Sequence, residues 1–81
     1  MRAELDKAAL SAELGERFAL APAEIRVALA LMAGDTPRRA AGKFGVSVNT
    51  VHSQMASIFG KTGTSGQSEL SRLPVRLSGG R

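Results

Sequence analysis

The chain has 81 residues, no cysteine and a formal net charge of +4. Its length fits one small domain, and the lack of cysteine excludes a disulfide framework, a thiolate zinc site and a cysteine nucleophile. No apolar run approaches the roughly 20 residues that a membrane-spanning helix needs, and acidic residues interrupt any N-terminal signal sequence. We therefore expect a cytoplasmic protein with no membrane contact.

The charge is unevenly distributed. Residues 1–18 hold three basic and four acidic side chains, whereas residues 35–81 hold seven basic and two acidic side chains, a net charge of +5. A basic C-terminal part favours a polyanionic partner. Many small soluble domains are equally basic, so charge alone does not identify that partner.

The first two predicted helices differ in how clearly the sequence marks them. Leucines and alanines at helical spacing predict a first helix over residues 2–16. The second helix has sharper signals, because Pro22 suits the first helical position and Glu24 suits the third, near the positive end of the helix dipole. Ala21 stands at the cap and has no side-chain acceptor, so only half of a capping box is present. Gly34 ends this helix.

A short third helix follows, with Pro37 at its first position and either Asp35 or Thr36 as its cap. The small residue Ala40 faces inward, and we expect Phe44 to fill the adjacent space. The outward side is basic and carries Arg38, Arg39 and Lys43.

Gly45 and Val46 make a tight turn, after which Ser47 caps a fourth helix that reaches about residue 61. Its apolar side is formed by residues at helical spacing, namely Val51, Met55, Ile58 and Phe59. A helix, a three-residue turn with glycine and a second helix form the helix-turn-helix pattern.

A last helix from about residue 65 to residue 73 completes an all-α fold. We predict a tri- to tetrahelical helix-turn-helix domain over residues 20–74. An extra N-terminal helix or linker occupies residues 1–19, and a flexible tail occupies residues 75–81.

Enzymatic function is not indicated. The single histidine, His52, has no partner in a recognisable motif, and the chain lacks phosphate-binding and nucleophile signatures. We expect no catalytic residue, no metal and no cofactor.

The polar side of the fourth helix instead suits nucleic acid. Its first turn carries Ser47, Asn49 and Thr50, whose short polar groups can hold a phosphate together with free backbone N–H groups. His52, Ser53 and Ala56 form an exposed strip that can contact base edges or a thymine methyl group. Three cations, Arg38, Lys43 and Lys61, are placed to contact phosphates. Short polar side chains on a helix are, however, often only solvated.

Residues 20–73 resemble the LuxR/GerE-type helix-turn-helix domain of bacterial transcription regulators. The matching residues are Leu20–Glu24, Gly34, Ala41, Gly45–Ser47, Asn49–Val51, Ile58–Phe59, Lys61–Thr64 and Glu69–Leu70. Members of this family commonly have Thr or Ser at Ala21, a bulky aliphatic residue at Ala40, Lys or Arg at His52 and His at Gln54.

The resemblance implies a recognition helix over residues 47–61 and sequence-specific binding of double-stranded DNA by a homodimer. The implied phosphate contacts are Arg38, Thr50, Gln54 and Lys61, and the implied base contacts are His52, Ser53 and Ala56. The implied dimer contacts are Glu69, Leu70 and Leu73. RNA polymerase is a further candidate partner, and we expect no small-molecule ligand in this segment.

Several alternatives stay open from the sequence. The chain can be a DNA-binding piece of a longer regulator or a stand-alone regulator of the GerE kind. The helices can also serve as a protein-interaction module, with the apolar side of residues 1–18 as a dimer seam. A promoter-recognising segment of a sigma factor is a third reading.

Overall fold

Five α-helices make up the described part of the chain in this computed structural model, which covers the backbone of residues 2–72 and the side chains of residues 8–72. The helices are α1 (Arg2–Phe18), α2 (Pro22–Met32), α3 (Pro37–Phe44), α4 (Val48–Thr62) and α5 (Gln67–Ser71). Residues 2–72 contain no strand. The predicted all-α class is therefore confirmed.

The start and end of α2 follow the signals in its sequence. Ala21 has an extended backbone, with φ −72° and ψ 159°, and Pro22 opens the helix. The Ala21 N–H donates to Oε1 of Glu24 at 2.9 Å, which is the half of the capping box that the sequence contains. Gly34, just beyond the helix, has φ 101°, a conformation that L side chains rarely adopt.

The connection between α3 and α4 is also fixed by local chemistry. Thr36 is the cap of α3, because its hydroxyl accepts a hydrogen bond from the Arg39 N–H at 3.1 Å. Gly45 ends that helix in the left-handed region at φ 67°, and its N–H bonds to the Ala41 carbonyl. Ser47 then caps α4 by accepting from the Thr50 N–H at 3.1 Å. A turn of three residues therefore joins two helices that pack against each other.

The core is centred on α2, which packs against each of the other four helices. The largest fully buried side chains of the core come from α1, α2, α4 and α5, namely Leu14, Val27, Leu31, Val51, Ile58 and Leu70. Burying a side chain of this size stabilises a fold by about 1.5–3 kcal/mol. Ala40 and Ala41 supply the buried surface of α3.

One long-range cap joins α5 to the end of α2. The Gln67 side-chain amide donates to the Leu31 carbonyl at 3.1 Å and to the Asp35 carbonyl at 2.9 Å. The Leu31 carbonyl also accepts from the Gly34 N–H at 3.0 Å, so Gln67 adds a second donor there and ties the loop carbonyl of Asp35 to α5.

The structure shifts several predicted boundaries by one or two residues. The first helix continues past Gly15 and residue 16 to Phe18, and Ala19 then turns the chain with φ 58°. The last helix begins at Gln67, after Gly66, rather than near Ser65. Such differences are within the usual uncertainty of helix ends.

The predicted dimer contacts differ in how exposed they are within one protomer. Leu70 is fully buried within the protomer, so its side chain holds α5 to α2 and has no surface to offer a second chain. Glu69 is exposed, and its carboxylate accepts bonds from the Ser65 N–H and hydroxyl at 2.7 and 3.1 Å. Leu73 and the predicted tail lie outside the described residues. No helix within residues 2–72 combines the length and apolarity that crossing a bilayer requires.

Candidate nucleic-acid interface

The solvent-facing side of α4 is an exposed strip of polar and small side chains. His52, Ser53 and Ala56 are all exposed, whereas Val51 and Ile58 on the opposite side are fully buried. The side chains predicted to read bases therefore lie together on the open face of one helix. Their placement follows from the 3.6-residue helical period, which also buries the apolar side.

The first turn of α4 is exposed and well ordered by its cap. Asn49 and Thr50 are exposed, and the Ser47 and Thr50 hydroxyl oxygens lie 3.1 Å apart. Ser47 accepts a hydrogen bond from the Thr50 N–H. The N–H groups of Val48 and Asn49 lie in the first turn, where the helix offers no carbonyl to accept from them. This end of α4 thus presents backbone donors and a positive dipole end, which favour an anion.

The cations of α3 are not equivalent. Within the described side chains, Arg38 is exposed and forms no ion pair. Arg39 and Lys43 share one carboxylate, that of Asp35, at 3.7 and 2.6 Å. Two cations facing one anion keep a net positive charge, so the outer side of α3 remains basic.

Lys61 is held at the far end of α4. Its ammonium lies 2.9 Å from Oε1 of Glu24 and donates to the Ala19 carbonyl at 3.3 Å. The Lys61 side chain is 40% exposed, whereas that of Glu24 is 12% exposed. Part of the Lys61 charge is therefore neutralised within the protomer, although its ammonium still borders solvent.

Glu24 is the centre of this contact network. Its other oxygen accepts a hydrogen bond from the Ser57 hydroxyl at 2.5 Å, in addition to the bonds from Ala21 and Lys61. The Ser57 hydroxyl, the Ala21 N–H and the Lys61 ammonium together lower the Glu24 pKa from 4.5 to about 2, against the opposing effect of burial. Glu24 thereby joins the start of α2 to the C-terminal half of α4 and helps to fix the direction in which α4 points.

Two side chains of α4 are less accessible than the rest of its polar side, and one of them, Gln54, is a predicted phosphate contact. Gln54 is half-buried, and Ser57, on the polar side of the predicted helix, faces Glu24 instead of solvent. Sequence reasoning also missed that Glu24 acts beyond its own helix. The sequence signal at Glu24 was an acidic residue at the third helical position. That signal predicts a local cap and does not predict a contact with a residue more than thirty positions away.

The described side chains contain no group of three or more His, Asp or Glu residues that could hold a metal ion. Comparison of the chain with protein-family models, with curated proteins and with solved structures found no match.

Proposed function

We propose that this chain binds double-stranded DNA and regulates transcription, with α3 and α4 acting as a helix-turn-helix and α4 as the recognition helix in the major groove. The observation that carries the proposal is the exposed polar strip on α4, directly after a three-residue turn and a basic helix. Major-groove reading requires a helix whose outward side chains can hydrogen-bond base edges or contact a thymine methyl group.

Each group has a distinct role in this proposal. His52 and Ser53 bond base edges, and Ala56 contacts a thymine methyl group. Arg38 and Lys43, together with the exposed first turn of α4, position the duplex through its phosphates. The residue-by-residue resemblance to LuxR/GerE-type domains adds Gln54 and Lys61 to the phosphate contacts.

The proposal includes a homodimer that binds two half-sites about one helical turn of DNA apart. Glu69 is the remaining described candidate for a contact between protomers, because Leu70 is buried. RNA polymerase is a further proposed partner.

The first experiment is a fluorescence-anisotropy titration of the full chain with duplex DNA from 50 to about 200 mM salt. Phosphate contacts release counterions, so each contact steepens the fall of log K with log salt by about 0.9. Three to four contacts per protomer predict a slope of about −3 per bound protomer. An affinity that does not change with salt would contradict phosphate binding.

Two substitutions test the assignment of roles. His52→Ala should reduce the preference for a selected sequence over random duplex, while binding to random duplex changes little. Arg38→Ala should weaken both sequences alike. Arg17→Ala is the matched control, since it removes an exposed arginine on α1, outside the α3–α4 pair.

The alternative reading as a helical interaction module has its own measurement. A chain that sediments as a stable dimer through α1, and shows no DNA binding at 50 mM salt, would favour that module over the DNA-binding proposal.

A further inference from the structure

A cavity of about 320 Å³ lies between α2 and the end of α3. Four of its lining residues are apolar and two are basic, namely Arg26, Leu29, Ala30, Ala33, Lys43 and Phe44. Ala30 is buried, and Leu29 and Phe44 are half-buried and pack against the core. The cavity is separate from the exposed strip on α4, none of whose residues line it.

The apolar part of the cavity exists because the residues around it are small. Ala30 and Ala33 on α2 leave space that larger side chains would occupy, and Ala40 on α3 is also short. Phe44 was expected to fill the space beside Ala40. Ala40 is fully buried, and Phe44 is half-buried, packs against the core that contains Ala40 and also lines the cavity.

Both basic side chains can still donate to a ligand. Arg26 is exposed, forms no ion pair with a described side chain, and holds its guanidinium 5.9 Å from the centre of the Phe44 ring. Lys43 bonds to Asp35 at 2.6 Å, but an ammonium has three donors and its side chain is 52% exposed. Two cations beside one apolar cavity favour an occupant with a negative group and an apolar body.

We propose that this cavity binds a small organic anion, with its carboxylate between Arg26 and Lys43 and its apolar body against Leu29, Ala33 and Phe44. The volume is at the lower end of the range for ligand pockets, and it equals the liquid volume of about ten water molecules. It therefore suits a molecule of about ten non-hydrogen atoms. An aromatic body would pack on Phe44, and the guanidinium over that ring is already placed for a cation–π contact.

The test uses the full chain without DNA, so its result does not depend on the proposed DNA binding. 3-Phenylpropionate, with about eleven non-hydrogen atoms, is titrated into ¹⁵N-labelled protein and followed by heteronuclear NMR. Saturable shifts should concentrate at the backbone amides of the cavity residues, with a Kd of about 4 mM or tighter. The neutral isostere 3-phenylpropanamide should bind at least about fivefold more weakly.

Two variants locate the site. Arg26→Ala should weaken 3-phenylpropionate binding at least about fivefold without changing binding of the amide. Ala33→Leu fills the rim of the cavity, at an exposed position, and should weaken both compounds. Arg17→Ala is the control, because Arg17 also lies over a phenylalanine ring, that of Phe18 at 5.5 Å, but on α1.

Equal binding of the acid and the amide would overturn the proposed role of the cations. Shifts spread over other faces, or the same loss with Arg17→Ala as with Arg26→Ala, would overturn the site itself. The circular dichroism melting curve of each variant is recorded first, and an Arg26→Ala protein that does not fold is replaced by Arg26→Gln.

Discussion

Replacing Glu24 with glutamine should make the fold less stable at neutral pH but not at very low pH. Glu24 accepts hydrogen bonds from Ser57, Ala21 and Lys61, and each of these interactions is stronger with a charged carboxylate. Glutamine keeps the shape and one acceptor oxygen, so the Ala21 bond can persist. The change therefore removes mainly the charge.

The magnitude follows from the pKa of Glu24. Its value falls from 4.5 to about 2 in the folded chain, and one pKa unit corresponds to about 1.36 kcal/mol, which gives at most about 3 kcal/mol. Lys61 is 40% exposed, so solvent screens its share and we expect about 2 kcal/mol. A chain of this length has a total unfolding free energy of about 4–12 kcal/mol, so the loss is large enough to measure.

The assay is urea unfolding of the wild-type and Glu24→Gln chains from pH 7 to pH 2. A carboxylate whose pKa is lowered by folding stabilises the folded state above its unfolded value of 4.5, and that contribution is lost as the pH falls toward 2. The difference in unfolding free energy should be about 2 kcal/mol above pH 5.5 and approach zero near pH 2. Glu69, whose pKa is lowered by the Ser65 N–H and hydroxyl, titrates in both proteins and cancels.

Glu16→Gln serves as the control, because Glu16 is exposed and makes no hydrogen bond to a described side chain. This variant should stay within about 0.5 kcal/mol of the wild type throughout. If Glu24→Gln lowers the unfolding free energy equally at pH 7 and pH 2, or if Glu16→Gln lowers it by the same amount, the charge of Glu24 is not what stabilises the fold.

Three further outcomes follow from described contacts. Arg38→Ala should flatten the salt slope of DNA binding by about one. Lys61→Ala should flatten this slope less, because Glu24 already neutralises part of the Lys61 charge. Equal slopes for the two variants would contradict this difference. Ala21→Ser should complete the capping box of α2 and raise the unfolding free energy by about 1 kcal/mol, as measured by urea unfolding. Gln67→Ala should lower it by about 1 kcal/mol, since the Asp35 carbonyl loses the Gln67 donor while the Leu31 carbonyl keeps the Gly34 N–H; no change in the urea midpoint would mean that water replaces the amide.

The local features of this fold could be predicted from the sequence. Pro22 and Pro37 begin helices, and Ser47 caps α4, because these residues act on the backbone next to them. Val51 and Ile58 are buried because the helical period places them on one side. Local chemistry and periodicity were therefore sufficient for the helices and for the open strip of α4.

The contacts between distant residues could not be predicted in this way. Nothing in the spacing of Glu24 and Lys61 shows that they meet, and Gln67 carries no pattern that assigns it to the end of α2. The cavity beside Phe44 was missed for the same reason. It depends on how closely two helices approach where both carry alanine, and that distance is a property of the packed core.

The central position of α2 also determines how the molecule opens. Because α1, α3, α4 and α5 each pack against α2, the amides of α2 can exchange with solvent only when most of the core is lost. The five-residue helix α5 is attached through Leu70 and Gln67, so it can detach while the rest stays folded. We therefore expect graded opening, in which the amides of α5 exchange before those of α2, the helix that supports the α4 strip.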